Sequence, residues 1–147
     1  MTTRIFPTAQ DAENAFYEAL ERCDLDGMMA VWSEDEEIVC VHPAGDRLTG
    51  QDQVRESWAK LFAAGPRARL RIEQQVAISG MMLAVHSVFE RFTLQGAKRE
   101  AQPVPVIATN VYLRTAAGWR MIVHHASPAP TQPQAAPARD NGPKILH

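Results

Sequence analysis

Residues 104 to 126, "VPVIATNVYLRTAAGWRMIVHHA", decide the fold. The run is rich in Val, Ile, Thr and Tyr and is interrupted once, at "AAG" (116–118). It reads as two long antiparallel strands, "VPVIATNVYLRT" and "GWRMIVHHA", joined by a short turn. Strands of about a dozen residues are roughly twice the usual length. Pro105 has no N–H to give to a ladder, so it predicts an edge or a bulge near the start of its strand.

The period of two reaches back to Arg67. Leu70, Ile72, Val76 and Ile78 fall on one face of a strand whose other face carries Arg67, Arg69, Arg71 and Glu73. That arginine row reads as a solvated face, with salt bridges at a subunit interface as the alternative. "SGM" (79–81) turns the chain into a further long strand, Met82 to Leu94, and the polar "QGAKREAQ" (95–102) is a loop. A long antiparallel sheet must twist and curl, so its concave side needs a cover.

The first third of the chain supplies that cover. Ala12, Ala15, Phe16, Ala19, Leu20 and Cys23 follow helical spacing over residues 8–23, and Thr8 with Asp11 resembles a capping box. Leu25, Met28, Met29 and Trp32 predict a second short helix after Asp24. Residues 36–42 read as a strand, and Pro43 to Arg47 as a turn. A third helix is expected from about Gln51 to Ala64, with Val54, Trp58, Leu61 and Phe62 on one face, Thr49 and Asp52 as caps, and "GP" (65–66) as its stop. The expected fold is therefore α+β: a cone-shaped, curved antiparallel sheet closed by three N-terminal helices.

Composition bounds the rest. With 147 residues, 46% hydrophobic and 22% charged, the chain fits one globular domain over residues 1–127. Residues 128–147 form a proline-rich tail, within a terminal stretch, 127–147, that holds five prolines in 21 residues. It is expected to run extended, with Ile145 and Leu146 docking in an apolar groove. Cys23 and Cys40 form no spaced pair, so they read as free thiols of a reducing, cytoplasmic compartment. The formal net charge of −2 gives no reason to expect nucleic acid or a membrane surface as partner. No P-loop, dinucleotide fingerprint, nucleophile elbow or HExxH spacing is present, so neither a cofactor nor a metal is expected.

The chemistry-bearing residues are few. His42 ends the first strand, on the face of Ile38 and Cys40, with Trp32 and Trp58 supplied by the neighbouring helices. Its imidazole suits proton transfer at neutral pH; the plainer reading is that it only fixes the turn. His86 lies mid-strand between Ala84 and Val88, where Glu90 continues the same face and can pair with it; it is either core or pocket lining. Asn110, a poor strand former, either bonds a ligand oxygen or ties down a bulge. His124 and His125 point to opposite faces, and strict alternation puts His125 with Trp119, Met121 and Val123.

"VWSEDEEIVCVHPAG" (31–45), "LTGQDQVRESWAKLF" (48–62) and "ATNVYLRTAAGWRMIVHHASP" (108–128) resemble the nuclear transport factor 2-like superfamily, in particular its SnoaL-like and ketosteroid isomerase-like branch. The resemblance covers roughly residues 8–128 and implies the cone fold and a homodimer through the outer sheet face. In ketosteroid isomerases the first strand ends in Asp-Pro, whose Asp is the general base; His42-Pro43 stands there. The isomerases' oxyanion tyrosine falls at Phe16 or Tyr17, and their second oxyanion group has no counterpart. The resulting expectation is a cavity that binds a small, mostly apolar molecule. Trp32, Trp58, Phe62, Tyr112 and His125 would line it. Cofactor-free acid–base chemistry would run through His42, with Asn110, His86 and Tyr17 as partners. The alternative is a non-catalytic binding or dimerisation module of the same fold.

Overall fold

The computed structural model describes residues 4–34, 37–65, 67–94 and 104–130. The loop expected at 95–102 and the tail from residue 131 lie outside the described residues.

Helix α1 (Ala9–Arg22) starts where Thr8 Oγ1 accepts from the Asp11 N–H at 3.0 Å and donates to Asp11 Oδ2 at 2.8 Å. Its buried face holds Ala12, Ala15, Phe16 and Ala19 of the expected stripe, with Ala9, Glu13 and Tyr17 added, while Leu20 and Cys23 are half-buried. Cys23, left-handed at φ 54°, ends it. Asp24 then caps α2 (Leu25–Val31) through the Gly27 N–H at 3.1 Å. Helix α3 (Gly50–Ala64) begins without a side-chain bond from Thr49 and without Asp52; the Thr49 N–H instead donates to Gln53 Oε1 at 3.0 Å.

The expected strand at 36–42 is present as the shorter β1 (Val39–Val41), and after the turn an unexpected β2 (Arg47–Thr49) pairs with it as a hairpin. The four long strands are β3 (Ala68–Ser79), β4 (Leu83–Leu94), β5 (Val104–Thr115) and β6 (Gly118–Pro128). Together they make one six-stranded sheet in the order β2-β1-β6-β5-β4-β3. It is mixed rather than purely antiparallel, because β1 runs parallel to β6. Pro105 also departs from expectation: β5 is an interior strand, and the proline is its second residue, where its carbonyl accepts from the Ala129 N–H at 3.0 Å. There the absent donor interrupts no central ladder.

Two bulges reset which side chains face the helices. In β3 the register shifts between Glu73 and Val76, and Gln74 takes a left-handed φ of 52°. One extra residue inverts the alternation. Leu70 and Ile72 therefore pack against the core, whereas Val76 and Ile78, expected on the same inward face, are 61% and 65% exposed. In β6 the shift falls opposite Val111 and Tyr112, leaving Ile122 as the extra residue. Met121 and His124 both turn inward, and His125, expected in the cavity, is exposed on the other face.

The helices cover the inward face with a continuous core. Phe16, Met28, Val31, Trp32, Ile38, Val54, Trp58 and Tyr112 are buried in it. No helix of the described residues is long and apolar enough to cross a membrane.

Candidate functional site

The interior of this core is not uniformly apolar. Glu13, His86, Glu90, Asn110 and His124 are buried among its aromatic rings, with the hydroxyls of Tyr17 and Tyr112. Helix α1 delivers Glu13 and Tyr17 one turn apart. Strands β4, β5 and β6 deliver the others in register, with His86 opposite Asn110 and Asn110 opposite His124.

Glu13 is the hub. Its Oε2 accepts from Tyr112 OH at 2.8 Å, from His86 Nδ1 at 2.8 Å and from Asn110 Nδ2 at 3.4 Å. Its Oε1 accepts from Gln75 Nε2 at 2.5 Å. A carboxylate has no proton to give, so His86 Nδ1 carries the hydrogen and Nε2 is left as the acceptor in the neutral ring. Asn110 Nδ2 also donates to Tyr17 OH at 2.8 Å, and Tyr17 OH donates to Glu90 Oε2 at 2.6 Å. Asn110 Oδ1 accepts from His124 Nδ1 at 2.6 Å, which closes the network.

Burial sets the proton affinities here. It pushes Glu90 up to about 7; the Tyr17 hydrogen bond opposes this and the Glu13 charge adds to it. Burial drives His124 down to about 3, so its ring is neutral. Burial, aided by the carboxylates of Glu90 and Glu13, holds Tyr17 and Tyr112 well above the ordinary tyrosine range. The site thus contains a second carboxyl group that changes charge near neutral pH.

Two clefts reach the network from the seam between α1 and β3. One, of about 290 Å³, has His86 in its lining and is walled by Ala9, Ala77, Ala84 and Trp119. The other, of about 370 Å³, has Glu13 and Tyr17 among its lining, with Ile72. Gln75, thrown inward by the bulge, stands between them; its amide also donates to Gln10 Oε1 at 2.9 Å.

His42 does not join this group. Four strands in order, β1, β6, β5 and β4, put it three strand spacings from His86, on the order of 14 Å. Its ring stands edge-on to Trp58, with centroids 4.6 Å apart. Nε2 lies 3.1 Å from Ser57 Oγ, whose own proton goes to the Val54 carbonyl at 2.8 Å; Nε2 is therefore the donor. Burial lowers its pKa. The rings of Trp58 and His124 separate it from Asn110.

Of the expected site residues, His86, Asn110, Tyr17 and Tyr112 come together. Trp32 and Trp58 are fully packed, Phe62 packs on Trp58 at 5.6 Å, and none of the three lines either cleft. The expected His86–Glu90 pair does not form; each is bonded from α1 instead. Sequence reading missed Glu13 and Gln75. Glu13 had a signal: it lies on the buried stripe, four residues after Ala9 and four before Tyr17. Gln75 had none, because the bulge that turns it inward is a backbone event.

A Thiobacillus denitrificans structure assigned as a calcium/calmodulin-dependent protein kinase type II association domain is 41% identical, with a TM-score of 0.79 over 86% of this chain and 99% of that one. A Streptomyces avermitilis structure assigned as a dehydratase of the NTF2-like family is 27% identical, with a TM-score of 0.72 over 80% and 91% of the two chains. A Parabacteroides distasonis structure assigned as a ketosteroid isomerase shares the fold at 18% identity, with a TM-score of 0.66 over 82% and 86%. No curated protein matches. The SnoaL-like domain model matches residues 10–132, the span that holds both the sheet and the Glu13 network, and the chain belongs to that family.

Proposed function

We propose that the chain binds a small, mostly apolar molecule in the cleft above His86 and moves a proton on it without a cofactor. The observation that carries this reading is the 2.8 Å bond between Glu13 Oε2 and Nδ1 of His86, a residue that lines a cleft. A carboxylate on Nδ1 fixes the ring and its tautomer and supports positive charge on the imidazole when Nε2 takes a proton. Tyr112 OH and Asn110 hold the same carboxylate oxygen in place. Small walls such as Ala9, Ala77 and Ala84 leave room for an apolar body, and His86 supplies the cleft's titratable group. Glu90, raised by burial to about 7, supplies a second proton store bonded to the network through Tyr17 and Asn110. Proton removal beside a carbonyl opens both isomerisation and dehydration, and the Streptomyces relative is assigned to the latter. Free Cys23 and Cys40, the latter pushed to about 12 by burial, suit a reducing, cytoplasmic setting.

The test is hydrogen–deuterium exchange at the α-carbon of a panel of small ketones and enones, followed by NMR in heavy water. Exchange above the buffer rate by the wild type, abolished in His86→Gln, is the expected result. Equal rates for the two proteins over the panel reject the reading.

A second reading is favoured by a specific observation. The relative at 41% identity is assigned as an association domain. The outer sheet face and the β3–β4 turn here expose Val76, Ile78, Met81, Met82 and Leu83 together. We infer a homodimer through that face, and association is the function if the exchange test fails.

A further inference from the structure

A larger concave feature lies farther along the same seam and plays no part in the reading above. Arg22 and Glu21 at the end of α1, with Arg67, Arg69, Arg71 and Arg91, line a groove of about 740 Å³ around the edge strand β3. Leu70 and Thr93 complete its wall. We propose that this groove binds a small, multiply charged phosphate anion.

The register forces the charges together. Arg71 is directly opposite Arg91, and Arg69 is opposite Thr93. Like charges across an antiparallel pair lie about 5 Å apart at Cβ and destabilise it. Arg69 adds a third guanidinium on the same face, about 7 Å along the strand from Arg71. Arg67, Arg69 and Arg71 are all exposed.

The nearby carboxylates are already engaged. Glu18 pairs with Arg22 at 3.0 Å, and Glu73 pairs with Arg91. Glu21 Oε2 accepts the Leu70 N–H at 2.8 Å and so anchors the edge strand. Among the described residues, no carboxylate pairs with Arg67, Arg69 or Arg71. The row of Arg67, Arg69 and Arg71, on one face and with no carboxylate partner among the described residues, is relieved by an external anion. Their planar forks match phosphate oxygens two at a time. None of the described lining residues is aromatic, so the groove offers no platform for stacked bases, and the contact is with the phosphates themselves. The site stands independently of the acid–base reading.

The full chain is titrated with sodium tripolyphosphate by calorimetry at low ionic strength. The wild type is expected to bind, with affinity falling as salt rises. Arg69→Gln/Arg71→Gln, which keeps two exposed polar side chains, is expected to bind at least tenfold more weakly. Arg55→Gln on α3, whose arginine pairs with Asp26, serves as the control and is expected to bind as the wild type does. Thermal melting without ligand verifies that each variant folds. Absence of binding by the wild type overturns the proposal, as does undiminished binding by the double variant. Tighter binding of a single-stranded oligonucleotide than of tripolyphosphate also overturns it, in favour of a nucleic-acid surface.

Discussion

Glu13 and His86 lie 73 residues apart in sequence and 2.8 Å apart in the fold, both almost wholly buried. The contact joins the first helix to the fourth strand, and the cleft opens against it. Its energetics follow from what each group leaves behind when the other is removed. Glu13→Ala strands the donors of His86 and Tyr112 without an acceptor, while Gln75 keeps Gln10. Each unsatisfied buried donor costs about 1–3 kcal/mol, so a loss of about 3–5 kcal/mol is expected in urea unfolding. Glu13→Gln is milder for the fold but removes the charge behind the imidazole. It is expected to slow ketone exchange by about 10- to 100-fold while the protein stays folded. A Glu13→Gln protein with full exchange activity separates the carboxylate from the chemistry.

Glu90 and His124 give stability a pH dependence of opposite signs. Glu90 rises from 4.5 to about 7 on folding, so the folded state holds the extra proton in that window. Stability falls as pH climbs through it, by about 3 kcal/mol once both states are ionised. His124 drops from 6.5 to about 3, so the unfolded state holds the extra proton and stability rises with pH up to about 6.5. The two slopes offset each other between 4.5 and 6.5. Glu90→Gln is expected to match the wild type near the low end of that window and to melt higher above pH 7. Parallel melting curves for the two proteins across the range refute this.

Gln74 carries the bulge that turns Gln75 toward Glu13. Its φ of 52° is left-handed, which costs a residue with a Cβ about 1–2 kcal/mol. Gln74→Gly removes that strain and adds unfolded-chain entropy, so a net gain of up to about 1 kcal/mol is expected by denaturant melts. Deleting Gln74 removes the extra residue, so the ladder closes with Gln75 opposite Val88, still inward, and with Val76 and Ile78 still outward. The deletion is expected to keep the fold and the Gln75–Glu13 contact, with a denaturant midpoint close to that of the wild type. A deletion that unfolds the protein means that the bend of the bulge, and not only the residue count, positions the site.

The bulges also mark where the sequence stops being legible. Helices, long strands and their order follow from periodicity, since Ala12, Phe16 and Ala19 or Leu70 and Ile72 announce their faces. Alternation counted past Gln74 or Ile122 is wrong by one residue, which is why Ile78 and His125 were expected inside. Glu13 is ambiguous for another reason. Its spacing from Ala9 and Tyr17 points to the buried face, yet an acidic residue early in a helix suits the dipole and water equally well; the tertiary donors decide between the two. The likeness to ketosteroid isomerases drew attention to His42-Pro43, a place matched by position; the polar centre of this chain lies about three strands away.

The outer face yields the last prediction. Val76 at 61% and Ile78 at 65% exposure sit on β3, beside Met81 at 84% in the following turn. Water on such a contiguous apolar face is unfavourable, and a second copy of the sheet removes it. Light scattering is expected to give twice the 16.3 kDa chain mass. Ile78→Glu puts a charge at the centre of the patch without touching the core, since the side chain already points outward. It is expected to give a folded monomer with unchanged ketone exchange, because His86 and Glu13 lie on the opposite side of the sheet. Loss of exchange together with the dimer makes the partner subunit part of the site. A dimer that survives Ile78→Glu places the interface on another surface.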